Sequence, residues 1–224
     1  MAAALMIPQP DDTRARLLEA AGAVFAEHGF RAATVREICA RAGANVAAIN
    51  YHFRDKLGLY VEVIRSSIGF HGEHDPRRLR LDEVPAPQAL RLLIASMLER
   101  ALGSDRSAWY LRIMSHELAQ PTEALPRVVD EVISPNYAIL RGVLARILDR
   151  DPGDDVTRLC AHGIIGQVVH FAAARPVIGI LWPSMKMTPR QVSQIAKHIA
   201  DFSLAGIRAT GRGIAKENSG KRKI

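Results

Sequence analysis

Two cysteines, Cys39 and Cys160, stand far apart in 224 residues. That count excludes a disulfide scaffold, and both lie in apolar helical contexts, as expected of reduced thiols in a cytosol. Aromatic residues make up only 5% of the chain. No run of alternating apolar and polar residues is long enough to argue for a sheet. No apolar stretch is long enough to span a bilayer, so no membrane partner is expected. Residues 1–10 lack the basic start and apolar run of a secretory leader and read as a disordered lead. The expected location is therefore cytoplasmic. Phosphate-cradling glycine loops are missing, as is any nucleophile spaced with a base. The nearest approach to a metal set is His71 and His74 with Glu73 and Asp75, in a stretch broken by Pro76, Pro85 and Pro87. Three-residue histidine spacing in a loop is a poor metal signature. No metal and no cofactor is expected, and a metal-dependent hydrolase using this region is the rival reading.

What the chain does hold favours helices: 48% hydrophobic residues, rich in Ala, Leu and Ile, with many Arg. The fold expected is all-α. The net charge of +7 is unevenly placed. Residues 206–224 hold six basic residues against one acidic, so most of the excess lies in the tail. Within residues 31–56, five basic residues face two acidic ones, a local bias that suits a phosphate-facing surface.

That segment contains the stretch on which the rest turns, Thr34 to Lys56, TVREICARAGANVAAINYHFRDK. It reads as two short helices joined by a tight turn. Thr34 is placed to cap the first, with Glu37 three residues on completing a capping box. Val35, Ile38 and Cys39 form its buried face. Gly43 suits the left-handed conformation that closes a helix. Asn45 then caps a second helix that Ile49 and Phe53, four apart, anchor in a core. Val46, Ala47, Ala48 and Asn50 leave a small, uncharged face. Such a face can lie close to base edges, where Asn pairs with adenine and an alanine methyl meets thymine. Tyr51, His52 and Lys56 lie at its far end, within reach of phosphates that fix register. Thr34 and Arg36, at the opening of the first helix, complete the candidate contact set. Two helices joined by a short glycine-containing turn are the helix-turn-helix pattern; a plain helical hairpin shares it.

The segment resembles the DNA-binding domain of the TetR family of bacterial transcriptional regulators. The resemblance rests on Ala20-Ala21, Phe25, Gly29-Phe30, Thr34-Val35, Ile38, Ala42-Gly43, Ile49, Tyr51-His52-Phe53, Lys56 and Leu59-Tyr60. The wording Asn-Val-Ala-Ala-Ile-Asn-Tyr is similar to the CecR/CerR-like branch. Asn45 in place of the commoner serine, and Asn50 where a larger residue is usual, are departures. The resemblance implies a homodimer on a double-stranded operator, a helix that links the reading head to the body, and an unknown small-molecule effector in the body. The function so implied is a repressor released from a palindromic operator by its ligand; a DNA-binding activator is the alternative.

Proline, glycine and charge divide the chain into a helix-turn-helix domain over residues 11–54 and a connecting helix over 55–70. A helical ligand-binding and dimerisation domain follows over 71–210, and a basic flexible tail over 211–224. Further helices are expected over about 89–102 and 107–120, then to about 148 with a bend at Pro135, then 155–175 and 188–207. Trp109, Arg112, Met114 and His116 on one helix, with Gln167, His170 and Trp182 later, mix aromatic and polar groups as a ligand pocket does; core packing explains such residues equally. His116-Glu117-Leu118, Pro121-Thr122, Gly166-Gln167 and Leu181-Trp182-Pro183 extend the CecR/CerR-like resemblance, although His116 stands where arginine is expected. The apolar stripes of the last two long helices exceed what one small bundle needs. They nominate Leu159, Gly163, Gly166, Phe171, Ile195, Ile199 and Phe202 for a four-helix dimer interface. Gly163 and Gly166, inside a helix, imply the close approach of another helix.

Overall fold

The computed structural model describes residues 10–67, 80–102 and 105–221. Among these residues every regular element is helical, and eleven α-helices and one π-helical turn are found. Residues 1–9 of the lead expected over 1–10, the His71–His74 stretch and Arg222-Lys223 lie outside the described residues. The chain clusters into two compact units that do not follow chain order. Among the described residues, 105–133 join 10–67, while 80–102 and 134–221 form the second. The span expected as one domain over 71–210 is thus divided between the two.

In the first unit, α1 (Pro10–Ala32) is regular until Gly29, whose φ of 70° and ψ of −179° break it. Leu17, Ala21, Val24 and Phe25 are buried along its inner stripe. Short helices α2 (Val35–Ala42) and α3 (Val46–Phe53) follow, then α4 (Lys56–Ser67). Phe25, Phe30 and Tyr60 form an aromatic cluster at their centre. Tyr60 stands edge-on to Phe25 at 4.8 Å and tilted against Phe30 at the same centroid distance. Fully burying side chains of this kind contributes about 1.5–3 kcal/mol each.

Helix α6 (Asp105–Ala119) belongs to this unit because α1 leaves a slot for it. A methyl group added at Gly22 would lie 2.2 Å from the Trp109 ring, so the indole rests on bare backbone. Beyond it come α7 (Leu125–Val128) and a π-helical turn over Val129–Ile133. The sequence predicts a bend at Pro135. The wide turn ends two residues earlier and absorbs the clash that a proline ring makes with the carbonyl four residues back. Helix α8 (Ser134–Leu148) belongs to the second unit.

That unit packs α5 (Ala86–Leu102), α8, α9 (Asp155–Ala173), α10 (Arg175–Leu181) and α11 (Pro189–Lys221) about one apolar core. Leu90, Ile94 and Leu98 meet Leu140, Leu144, Ile164 and Ile199 there. Asp154 caps α9, accepting from the Val156 N–H at 2.9 Å. Arg91 and Lys197 both pair with Asp201, holding its carboxyl below the usual carboxylate range through those hydrogen bonds. Helix α11 continues to Lys221, so the backbone is helical through most of the segment expected as a flexible tail.

Candidate nucleic-acid interface

The geometry of α2 and α3 begins with their caps. The Thr34 hydroxyl accepts from the Glu37 N–H at 3.2 Å, and Asn45 Oδ1 accepts from the Ala48 N–H at 2.9 Å. Gly43, at φ 59° and ψ 41°, closes α2, and the Ala44 N–H returns to the Cys39 carbonyl. Each such cap is worth about 1 kcal/mol to a helix too short to stand alone. The reciprocal arm of the capping box is not made: the Glu37 carboxylate pairs with Arg41 at 2.8 Å instead. Burial pushes the Cys39 thiol up.

Ile49 and Phe53 are buried and fix the roll of α3. Every other expected contact on that helix is left outside the core. Val46, Ala47 and Asn50 are exposed, Ala48 and His52 are half-buried, and Tyr51 is 81% exposed. Thr34, Arg36 and Asn45 are exposed on the same short stretch. These side chains make a shallow face with no carboxylate on α3 itself. It can approach a duplex closely without desolvating a charge of the wrong sign.

Lys56 is only partly available. Its ammonium lies 4.6 Å from the centroid of the Phe30 ring and donates to the Arg31 carbonyl at 3.4 Å. Burial lowers its pKa, against the opposing pull of Glu123. The lysine therefore braces the head as well as facing the surface. Five arginines of residues 10–67 are ion-paired: Arg14 with Glu62, Arg16 with Asp12, Arg31 with Glu123, Arg41 with Glu27 and Glu37, and Arg65 with Glu62 and Glu131. Arg36 and Arg54 have no such partner among the described residues. Arg54 was not singled out by its sequence context. It caps the end of α3 at φ 73° and ψ −50°, a backbone region that costs a non-glycine residue on the order of 1–3 kcal/mol.

Another pair visible only in three dimensions sits behind the face. Tyr60 of α4 donates to Glu117 Oε1 at 2.7 Å. Glu117 is 1% exposed and also accepts from the N–H and the hydroxyl of Thr122, at 3.0 and 2.7 Å. Burial first, and this carboxylate second, push the Tyr60 phenol well above its usual range. The connecting helix is thereby tied to the end of α6 by a satisfied buried carboxylate.

Of the seven residues nominated for a ligand pocket, four fall in the first unit and three in the second. Trp109 lies on Gly22 of α1, and His116 packs on Gly29 and donates through Nε2 to the Ala26 carbonyl at 3.3 Å. These two serve packing of the first unit. Arg112 is exposed and Met114 half-buried on the same helix. Gln167, in the second unit, spans from α9 to α11, donating to the Gly163 carbonyl at 3.2 Å and to Ser203 Oγ at 3.4 Å. His170 and Trp182 are exposed.

The nominated dimer residues also divide. Ile195 and Ile199 are buried in the core of their own unit, so they have no surface to offer a second chain. Leu159 is 71% and Phe202 65% exposed, and Phe171 is half-buried. Gly163 and Gly166 are exposed, and a methyl group added at either would meet nothing within 4 Å. Among the described residues, none makes the close helix approach expected at these glycines.

Two family models match the sequence. Residues 17–63 match the bacterial regulatory proteins of the tetR family, and residues 86–207 match the C-terminal domain of the HTH-type transcriptional dual regulator CecR. The chain is 33% identical over 177 residues to that dual regulator from Shigella flexneri, covering 75% of this chain and 79% of the relative. It is 34% identical over 210 residues to the HTH-type transcriptional repressor NicS of Pseudomonas putida, covering 89% and 94%. A solved transcriptional regulator from Pseudomonas aeruginosa PAO1 superposes with a TM-score of 0.64 at 28% identity, over 90% of this chain and 95% of that one.

Proposed function

As a member of the TetR family of bacterial regulatory proteins, the chain is a DNA-binding transcriptional regulator rather than an enzyme, and we propose that it acts as a homodimeric repressor released from a palindromic operator by a small molecule. The observation that carries this reading is the α3 face. Its anchors Ile49 and Phe53 are buried, while Val46, Ala47, Asn50 and Tyr51 are held outward on a helix capped by Asn45. In this reading α3 enters the major groove, with Asn50 and the alanine methyls against base edges. Thr34, Arg36, Tyr51 and His52 contact the backbone.

A second copy completes the molecule. Leu159, Gly163 and Gly166 of α9 and Phe202 of α11 leave apolar and bare-backbone surface uncovered within one chain. Interior glycine costs up to about 1 kcal/mol each against alanine, and the close packing of a partner helix offsets that cost. Pairing α9 and α11 with their copies gives a four-helix interface and a two-fold axis, which asks for an inverted-repeat operator. The dimer works in the cytoplasm, where its DNA is. A ligand held in the second unit need only bind the DNA-free arrangement more tightly to release the operator.

Mobility shift of the DNA upstream of its own gene, in rising salt with nonspecific competitor, tests the reading. A specific complex of two chains per site is expected, weakened by Tyr51→Ala. A complex lost equally to competitor DNA of any sequence would count against it.

A further inference from the structure

We propose that Arg54 is a DNA-backbone contact, held there by a backbone conformation that the turn between α3 and α4 imposes. The proposal rests on the reading that α3 faces DNA.

The turn leaves the chain little freedom. Phe53 ends α3 in the core, and α4 begins at Lys56, so only Arg54 and Asp55 reverse its direction. Asp55 is committed to the start of α4: its side chain accepts from the Gly58 N–H at 2.6 Å and its carbonyl from the Leu59 N–H at 3.1 Å. The Phe53 carbonyl presses so closely on Gly58 that a methyl group there would sit 2.1 Å from the oxygen. The Arg54 N–H still returns to the Asn50 carbonyl at 3.1 Å, closing α3. With its neighbours fixed on both sides, Arg54 takes φ 73° and ψ −50°, which L-residues rarely adopt and which glycine, lacking a Cβ, tolerates better.

Glycine would therefore suit the position better, yet arginine occupies it. Packing gives no reason, because the side chain is exposed. Internal ion pairing gives none either. Of the seven arginines in residues 10–67, only Arg36 and Arg54 have no ion-pair or hydrogen-bond partner for the guanidinium among the described residues. Arg54 follows the exposed Tyr51 by three residues, at the end of the face that reads DNA. A free guanidinium, always charged and planar, there fits a phosphate oxygen pair. Asp149 and Met187 also have positive φ, but neither carries a cation.

Full-length wild type, Arg54→Gln, Arg54→Gly and Arg54→Lys are titrated on the DNA upstream of its own gene and on a random-sequence duplex of about 30 base pairs, at several salt concentrations. Arg54→Gln is expected to lose about three- to tenfold in affinity on both DNAs, to flatten the salt slope by about one per chain, and to melt as wild type does. Arg54→Gly is expected to lose the same affinity yet melt about 2–4 °C higher, because strain is relieved. Arg54→Lys should keep the wild-type slope. An Arg54→Gln protein with wild-type affinity and slope, while Tyr51→Ala still weakens binding, would overturn the proposal and leave the reading head intact. An Arg54→Gly protein that melts no higher would overturn its strain half. Wild type that binds neither DNA would overturn the parent reading.

Discussion

The two units each present a helical face that their own core does not use, and the faces differ in kind. On α3 the face is small and uncharged, and Arg36 and Arg54, which have no ion-pair partner among the described residues, come before and after it in the chain. On α9 and α11 it is apolar and bare: Leu159, Gly163, Gly166 and Phe202 stand out from the core. The first suits a polyanion, which rewards close approach and cations. The second suits a copy of itself, which rewards buried apolar area and close backbones. The same device, a helix rolled by two or three buried anchors, serves both. The residues left over decide the partner.

The comparison breaks most sharply at the second face. Leu159→Arg with Phe202→Glu puts four charges into the proposed two-fold interface while leaving the core untouched. The expected outcome is a monomer by light scattering, with operator affinity down by roughly 10²–10⁴-fold as bivalent binding is lost. An unchanged dimer would move the interface elsewhere. Gly22→Val tests the packing that places α6 with the head. It should destabilise by about 1–3 kcal/mol, since the Trp109 ring must leave its seat; a denaturant midpoint equal to wild type would contradict the slot. Asn50→Ala sharpens the first face. Discrimination at one base position per half-site should relax by about 1–3 kcal/mol while nonspecific affinity holds. A selection on randomised operators reads this directly, and unaltered preference would remove Asn50 from base reading.

The smallest effect concerns Glu131. The hydrogen bond from Arg127, with Arg65 beside it, holds its carboxyl below the ordinary value of 4.5. Its contribution is therefore present at neutral pH and lost as pH falls below that value through the lowered one. Glu131→Gln should flatten the acid side of the stability profile below the ordinary value of 4.5 and leave DNA binding alone. An identical acid limb would show that the pair is solvated at no gain, as exposed pairs often are.

Much of the head is legible in the sequence because its signals are local. Thr34, Gly43 and Asn45 announce helix ends a few residues from where they act, and Ile49 and Phe53 fix the roll of α3 by spacing alone. The rest depends on distant partners. An apolar stripe on α11 cannot say which of its members faces inward, so Ile199 and Phe202 look alike in sequence although one is buried and the other exposed. Trp109 and His116 read as pocket candidates in sequence, and their seats on Gly22 and Gly29 of α1 show only in three dimensions. Arg54 gives no warning at all, since its turn is dictated by Asp55 and Gly58 and not by its own preference.

The central claim is that this head reads sequence as a two-fold pair. A genome-wide binding selection with the full-length chain tests it most directly. The expected result is an enriched inverted repeat whose half-site centres lie about 34–36 Å apart, one helical turn, or a multiple of that. Recovery of fragments without a shared motif, or of a single unrepeated half-site, would contradict it.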